Sequence, residues 1–440
     1  MEDMPDTSRH IDDFADFIRA SPSSYHAAAE CARRLEAAGF HERSETDAWA
    51  SAPGRYHVVR DGAVIAWIVP ECASPLTPFR ILGAHTDSPG FKLKPRPTIG
   101  SNGWLQAGVE VYGGPLLNSW LDRELELAGR VVTRSGEQRL VRTGPFLRIP
   151  QLAIHLDRDA NNGLTLDKQR HTAPVFGVGD RAQADLVGIL AGLAGLDDGE
   201  EIAGYDLLTA DTNPPARFGL DEALFAAGRM DNLSSVHAGL TALIDTARAS
   251  GTAPHISVLA AFDHEELGSE SRSGASGPFL DDVLTRIGTS LGATPEHRAR
   301  SFAASWCVSS DAGHAVHPNY PERHDPANLP VAGGGPLLKI NANQRYATDA
   351  HGAAMWSRVC AEAGVRYQEF VSNNTVPCGS TIGPLTATRL GIRTVDVGAP
   401  LLSMHSAREL AHVDDLVSLA AAIGAFFAPE SSSSVPATGG

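Results

Sequence analysis

The stretch Phe79-Arg-Ile-Leu-Gly-Ala-His-Thr-Asp-Ser-Pro89 decides how this sequence is read. Residues 79–84 predict a short buried strand that runs directly into His85, with Asp87 two positions further on. Open α/β sheets bind their ligands in the crevice at the carboxyl ends of strands, so this is a place where chemistry is built. Upstream, Ile11, Phe14, Phe17 and Ile18 share one helical face, and Ser21-Pro-Ser-Ser opens a second helix that stops at Gly39. An Asp61-Gly62 turn between residues 56–59 and 64–69 predicts a hairpin.

Downstream the texture changes. From about residue 94, strands over 109–112, 124–132 and 138–142 are separated by Gly113-Gly114 and Ser135-Gly136, with no long helix between them. A helical pattern follows at 182–196. After Asn213-Pro-Pro, strand and helix alternate again, with a helix over 231–249, strands over 256–262, 302–308 and 394–397, and a closing helix over 413–427. The expected organisation is an α/β sheet begun in the first ninety residues and completed in the second half, around an inserted β-rich domain. Residues 430–440, Glu-Ser-Ser-Ser-Ser-Val-Pro-Ala-Thr-Gly-Gly, have nothing to bury and are expected to form a loose tail.

Composition narrows the function classes. Of 440 residues, 42% are apolar and 20% charged, which suits one large core or two moderate ones and excludes disorder throughout. No run approaches the ~20 apolar residues of a membrane span, and the opening Met-Glu-Asp-Met-Pro-Asp lacks the order of a signal peptide. A cytoplasmic protein with no membrane partner is expected. Cys31, Cys72, Cys307, Cys360 and Cys378 are odd in number, widely spaced and without Cys-x-x-Cys, which argues against a disulfide framework and a thiolate zinc site. The net charge of −16 would repel a phosphate backbone, so no nucleic-acid partner is expected.

Five short segments hold nearly all the residue types a metal site needs: Ala84-His-Thr-Asp-Ser-Pro89, Gly228-Arg-Met-Asp-Asn232, Phe262-Asp-His-Glu-Glu-Leu-Gly268, Ser309-Ser-Asp-Ala-Gly-His314 and Ser403-Met-His-Ser406. Singly, each has an ordinary reading: His85 as a hydrogen-bonded edge residue, Asp231 as a helix cap, His405 as a loop residue. Glu265 and Glu266 resist one, because adjacent carboxylates after an apolar strand repel unless a cation lies between them or one stays protonated. Imidazoles and carboxylates without a thiolate suit a pair of Zn²⁺, Mn²⁺ or Co²⁺ ions sharing a bridging carboxylate. Two decoys fail: Gly268 stands where a helix zincin motif after His264-Glu265 requires its second His, and Gly177-Val-Gly-Asp-Arg-Ala182 lacks the βαβ context of a dinucleotide site. Gly333-Gly334-Gly335 lacks the Lys-Ser/Thr of a phosphate loop and reads as a connection.

Taken in order, these segments resemble the aspartyl aminopeptidases, two-zinc exopeptidases that remove single amino-terminal residues. The likeness extends to Trp120-Leu-Asp-Arg123, Leu147-Arg-Ile-Pro-Gln-Leu-Ala-Ile-His155, Lys339-Ile-Asn-Ala-Asn-Gln-Arg-Tyr346, Pro377-Cys-Gly-Ser-Thr-Ile-Gly-Pro384 and Arg393-Thr-Val-Asp-Val-Gly398. It implies that Asp231 bridges two divalent ions, zinc before cobalt or manganese, with His85 and Asp311 completing one and Glu266 and His405 the other. It implies Glu265 as general base, Asp87 behind the ligand His85, His155 reaching a neighbouring subunit's site, and Lys339 facing the side chain being removed. Apolar Leu337, Leu338 and Ile340 around Lys339 predict an ammonium without a partner until an Asp or Glu side chain enters.

The same resemblance implies an α/β/α catalytic domain with a mixed central sheet over 1–93 and 228–440, interrupted by a β-rich dimerisation domain over 94–227. It implies a homo-oligomer, a tetrahedral dodecamer built from dimers, acting on short peptides with an acidic amino-terminal residue. Met230 stands where the family has Leu, a volume-conserving exchange. No extension precedes the first helix, so the vacuolar cargo role of some fungal members is not expected. Two rival functions are a related two-metal deacylase or carboxypeptidase and a catalytically silent scaffold or cargo particle. The presence of both Glu265 and Glu266 beside a full ligand set weighs against the silent particle.

Overall fold

Ile256–Phe262 has seven consecutive buried residues with only Ser257 polar, the pattern of a strand covered on both faces. In the computed structural model, which describes residues 7–50, 53–196, 202–249 and 253–429, this strand lies within a nine-stranded sheet. It pairs in parallel with Phe79–His85, and the parallel run continues through Trp306–Ser310 to Arg393–Gly398. The hairpin Gly54–Arg60 and Ala63–Val69 adds antiparallel strands on one side. Leu337–Lys339 and Gln368–Phe370 extend the other, which makes the sheet mixed.

Side chains alternate across this sheet between two cores. Val64, Leu82, Leu259 and Ala261 pack with the helices Thr7–Ala20, Met230–Arg248 and Val413–Phe427. Ile65, Ile81, Val258 and Ala260 pack with Phe279–Ser290 and the start of Ile382–Leu390. The α/β/α layering expected from the sequence follows directly from that period of two. Met230–Arg248 crosses the sheet so closely that a Cβ on Gly239 would stand 2.1 Å from a Leu82 methyl, so close approach explains that glycine. The four parallel strands end on one edge, at His85, Phe262, Ser310 and Gly398. Phe262 is in register with His85, so Glu265 and Glu266 emerge beside that imidazole.

Among the described residues, seven antiparallel strands from Gly90–Ser101 to Ile202–Asp211 form a second sheet around Phe91, Trp120, Leu125, Leu127 and Leu207. A smaller third sheet joins Leu224–Ala227 to Glu409–His412 and Pro400–Leu402.

Several local expectations change. Residue 302 lies in the helix Pro295–Ala304, and the strand begins at Trp306. Thr294 accepts the His297 N–H with Pro295 at the first helical position, which starts a helix whose Phe302 ring packs edge-on against Phe79 at 6.0 Å. The helical pattern at 182–196 resolves into a turn of 3₁₀ helix at Arg181–Gln183 and the helix Leu186–Leu193, because Ala184 and Asp185 are extended. Val175–Val178 is an antiparallel strand, which removes the dinucleotide reading of Gly177–Ala182. All five cysteines are free. Among the described residues, no helix is long and apolar enough to cross a membrane. The expected loose tail lies outside the described residues.

Candidate metal centre

Asp231 stands between two imidazoles. Its Oδ1 is 3.3 Å from His85 Nε2 and its Oδ2 is 3.3 Å from His405 Nε2. Asp311 Oδ1 approaches His85 Nε2 at 3.4 Å, and Glu266 Oε2 approaches His405 Nε2 at 3.4 Å. The ligand atoms of His85, Asp231 and Asp311 lie within 4.8 Å of one another, as do those of Asp231, Glu266 and His405. A third grouping, His85 with Glu265 and Glu266, overlaps both. The first two share Asp231, whose oxygens each face a different imidazole, which is the arrangement that holds a pair of ions. Glu265 Oε2 lies 3.9 Å from His85 Nε2 and its side chain is partly open to the crevice.

Each segment is delivered by a different element. His85 ends a buried strand, Asp231 sits in the non-helical first turn of Met230–Arg248, and Asp311 follows Trp306–Ser310. Glu265 and Glu266 lie on a 3₁₀ turn after left-handed His264. His405 is itself left-handed, with φ of 65°. The Asp231–Asn232 peptide is cis.

Two buried carboxylates secure these irregular segments. Asp87 Oδ1 accepts the Glu265 N–H at 3.0 Å, and its Oδ2 accepts the Glu266 N–H at 3.2 Å and the Tyr112 hydroxyl at 2.9 Å. Glu409 Oε1 accepts the His405 N–H at 3.0 Å and its Oε2 accepts the Asp231 N–H at 3.1 Å. Imidazole orientation is set from outside as well, by Asp87 O at 3.1 Å from His85 Nδ1 and Gly114 O at 2.9 Å from His405 Nδ1. Such contacts fix the tautomer that leaves Nε2 free as a ligand atom.

The electrostatics describe a site with too little positive charge. Burial pushes the Glu265 carboxyl up to about 8, with Asp311, Asp231 and Asp87 adding to it. Burial and then Asp231 raise Glu266 well above the usual carboxylate range. Burial alone would lower His405, but Asp231 and Glu266 carry it up to about 10. Asp231 is held low against its own burial by His405 and His85. Carboxylates that favour positive charge on His85 and His405 this strongly would favour a bound cation in the same place. Asp231 Oδ1 and Glu266 Oε1 are buried without a hydrogen-bond partner, and a hard-to-borderline donor set with two orphaned anionic oxygens fits divalent zinc.

Two further residues singled out from the sequence lie outside the two ligand groups. His155 is in an exposed turn, between exposed Ile154 and Leu156. Lys339 is 1% exposed, but its ammonium has partners: Nζ donates to Ala312 O at 2.7 Å, lies 3.9 Å from Asp311 Oδ2 and 5.4 Å from the Tyr346 ring. The expectation of a partnerless ammonium is therefore corrected. Leucines surround Lys339 in sequence, but the turn carrying Asp311 folds a carbonyl over its tip. Tyr346 also walls a cavity of about 330 Å³ lined by His314, His317, Arg323 and His324 and by no carboxylate. The sequence reading missed Glu409, Tyr112 and Gly114; a lone acid four residues after His405 in Arg408-Glu409-Leu410 was the available signal.

Comparison with known proteins gives a consistent result. The family described as Aminopeptidase I zinc metalloprotease (M18) matches residues 17–427. A probable M18 family aminopeptidase 2 of Streptomyces avermitilis is 57% identical over 420 residues, 95% of this chain and 97% of that one. The cryo-EM structure of the Ape4 and Nbr1 complex is similar at TM-score 0.92 and 36% identity, covering 96% of this chain and 86% of that one. The mApe1 dodecamer of Saccharomyces cerevisiae is similar at TM-score 0.82 and 28% identity, with 95% and 96% covered.

Proposed function

The chain belongs to the M18 family of zinc metalloprotease aminopeptidases, and on that premise we propose that it removes acidic amino-terminal residues from peptides with two divalent ions. The observation that carries this reading is Asp231, whose oxygens face separate imidazoles. His85, Asp231 and Asp311 would hold one ion, and Asp231, Glu266 and His405 the other. Zinc, when bound, polarises a scissile carbonyl and lowers the pKa of water. Glu265 takes the proton of the attacking water and returns it to the leaving amine, the work of a general acid–base. Asp87 keeps the Glu265 backbone in place through its N–H. A free substrate amine beside the site's carboxylates limits removal to the first residue.

Acidic preference is supported by charge placement. The cavity beside Tyr346 offers imidazole and guanidinium groups and no carboxylate, in a protein whose net charge is −16. Lys339, behind Tyr346, adds a fixed positive charge to that wall. Burial holds His314 and His324 below the ordinary imidazole range, so the positive charge here is that of Arg323 and Lys339, which favours Asp and Glu over Lys and Arg. Homo-oligomerisation, to a dodecamer like that of mApe1, is supported by the similarity over 95% of the chain and by exposed Leu152, Ile154 and Leu156 around His155. In such an assembly His155 is the donor offered to a neighbouring site.

The test is turnover of free and acetylated Asp, Glu and Leu substrates, before and after chelation and on metal addition. Hydrolysis of free Asp and Glu above Leu, lost on chelation and restored by zinc, is the expected result. Turnover of only the acetylated substrates would replace this reading with the deacylase.

A further inference from the structure

His405 and Asp231 meet at the metal centre from irregular backbone. His405 sits in a turn with left-handed Ser403 two residues before it, and Asp231 follows left-handed Arg229 in a non-helical first turn. The third sheet joins the strands that flank both segments, but neither residue itself lies on a strand. Glu409 does lie on a strand, paired through Ala227 with Leu224–Ala227. It is 2% exposed, and each oxygen of its carboxylate is engaged by a different backbone N–H, that of His405 at 3.0 Å and that of Asp231 at 3.1 Å. The two donors are 174 residues apart in sequence, from 231 to 405.

We propose that Glu409 is a positioning residue that sets the distance between the shared carboxylate and the histidine of the second ion, and thereby the affinity of that ion. The proposal rests on the two-metal reading of the site. The chemistry of the clamp is specific. Two convergent N–H donors need two acceptors, and a carboxylate supplies both, whereas a carboxamide supplies one oxygen and turns an NH₂ group toward the other donor. Glu409 belongs to none of the ligand groups and engages Asp231 and His405 through their backbone, so its effect passes through those two residues. Asp87 makes the matching pair of bonds to Glu265 and Glu266, so the centre is held from two sides by buried carboxylates acting on backbone. Only one of these was visible as a His-x-Asp spacing.

Glu409→Gln tests this with a chromophoric chelator competing for zinc in the full chain. The expected outcome is two zinc ions in the parent, one of them held 10- to 100-fold more weakly in the variant, the range for loss of an outer contact to a metal ligand. At limiting zinc kcat falls, while KM stays within about twofold. Melting is measured in parallel without and with zinc. A clamp on the ligands shrinks the zinc-induced rise in Tm, because that rise follows the ratio of free zinc to its dissociation constant. A residue needed only for folding lowers both Tm values equally and leaves the rise unchanged, so the comparison decides even where the variant is less stable. Unchanged affinity for both ions with an unchanged rise would overturn the clamp. A parent that binds fewer than two ions, or stays active after chelation, overturns instead the two-metal reading on which it rests.

Discussion

The nine-stranded and seven-stranded sheets use the same strand chemistry to opposite ends. In the first, parallel strands covered on both faces finish on one edge, and five segments bring ligand atoms together in overlapping groups of three, each group within 4.8 Å. In the second, antiparallel strands cover Phe91, Leu125 and Leu207 but leave Trp104 and its cross-strand partner Val178 at 51% and 73% exposed. A parallel sheet with buried strands collects its loops at one end and can complete a site within one chain. An antiparallel sheet with an open face has surface left over, and here it carries His155 on an exposed turn. The second sheet still reaches the site, through Tyr112 at the end of Trp104–Tyr112 and the Gly114 carbonyl beyond it.

The contrast is tested hardest by removing metal. If the first sheet's edge is a two-ion centre, chelation abolishes turnover and added Zn²⁺, Co²⁺ or Mn²⁺ restores part of it. Full turnover in protein shown to be metal-free by elemental analysis would break that half of the comparison. Glu265→Gln is the next largest effect, with turnover falling roughly 10²- to 10⁴-fold while metal content stays constant. If that variant loses metal and Glu266→Gln retains it, the two roles are exchanged.

The other half of the contrast turns on His155. His155→Phe should cost about 10²- to 10³-fold in kcat, as for a lost transition-state donor. Mixing His155→Phe with Glu265→Gln subunits then recovers activity only if the exposed turn serves a neighbour. No recovery at any mixing ratio returns His155 to a packing role. A smaller effect belongs to Lys339→Leu, where the Asp-to-Leu ratio of kcat/KM should drop by the equivalent of about 1.5 to 3 kcal/mol, the worth of a hydrogen bond to a charged group. Because Lys339 also lies 3.9 Å from Asp311, zinc content must be measured in the same protein. The least effect is expected from Tyr112→Phe, which removes one donor from Asp87. A kcat loss of about tenfold matches one charge-assisted bond, and no change would confine the second sheet to assembly.

Much of this was legible before folding. The buried runs before His85 and Glu265 announced strands, and the neighbouring acids announced a site, because period and charge are local properties. Phe302 was misread because an apolar residue fits a strand or a helix equally, and the Thr294 cap decided for helix. Lys339 was given no partner because its acceptor, Ala312 O, comes from a turn 27 residues away. Glu409 went unread for the same reason. Its donors belong to backbone, whose availability depends on where ladders end.

The sequence by itself determined the α/β fold class and the family, and it marked a β-rich stretch in the middle of the chain. Only the tertiary structure decided that Asp231 lies between the two imidazoles, that Glu409 and Asp87 hold the ligand segments from opposite sides, and that Lys339 has acceptors while His155 faces outward. Side-chain pattern is written in the order of residues, but satisfaction of buried polar groups depends on atoms that meet only after the strands are paired.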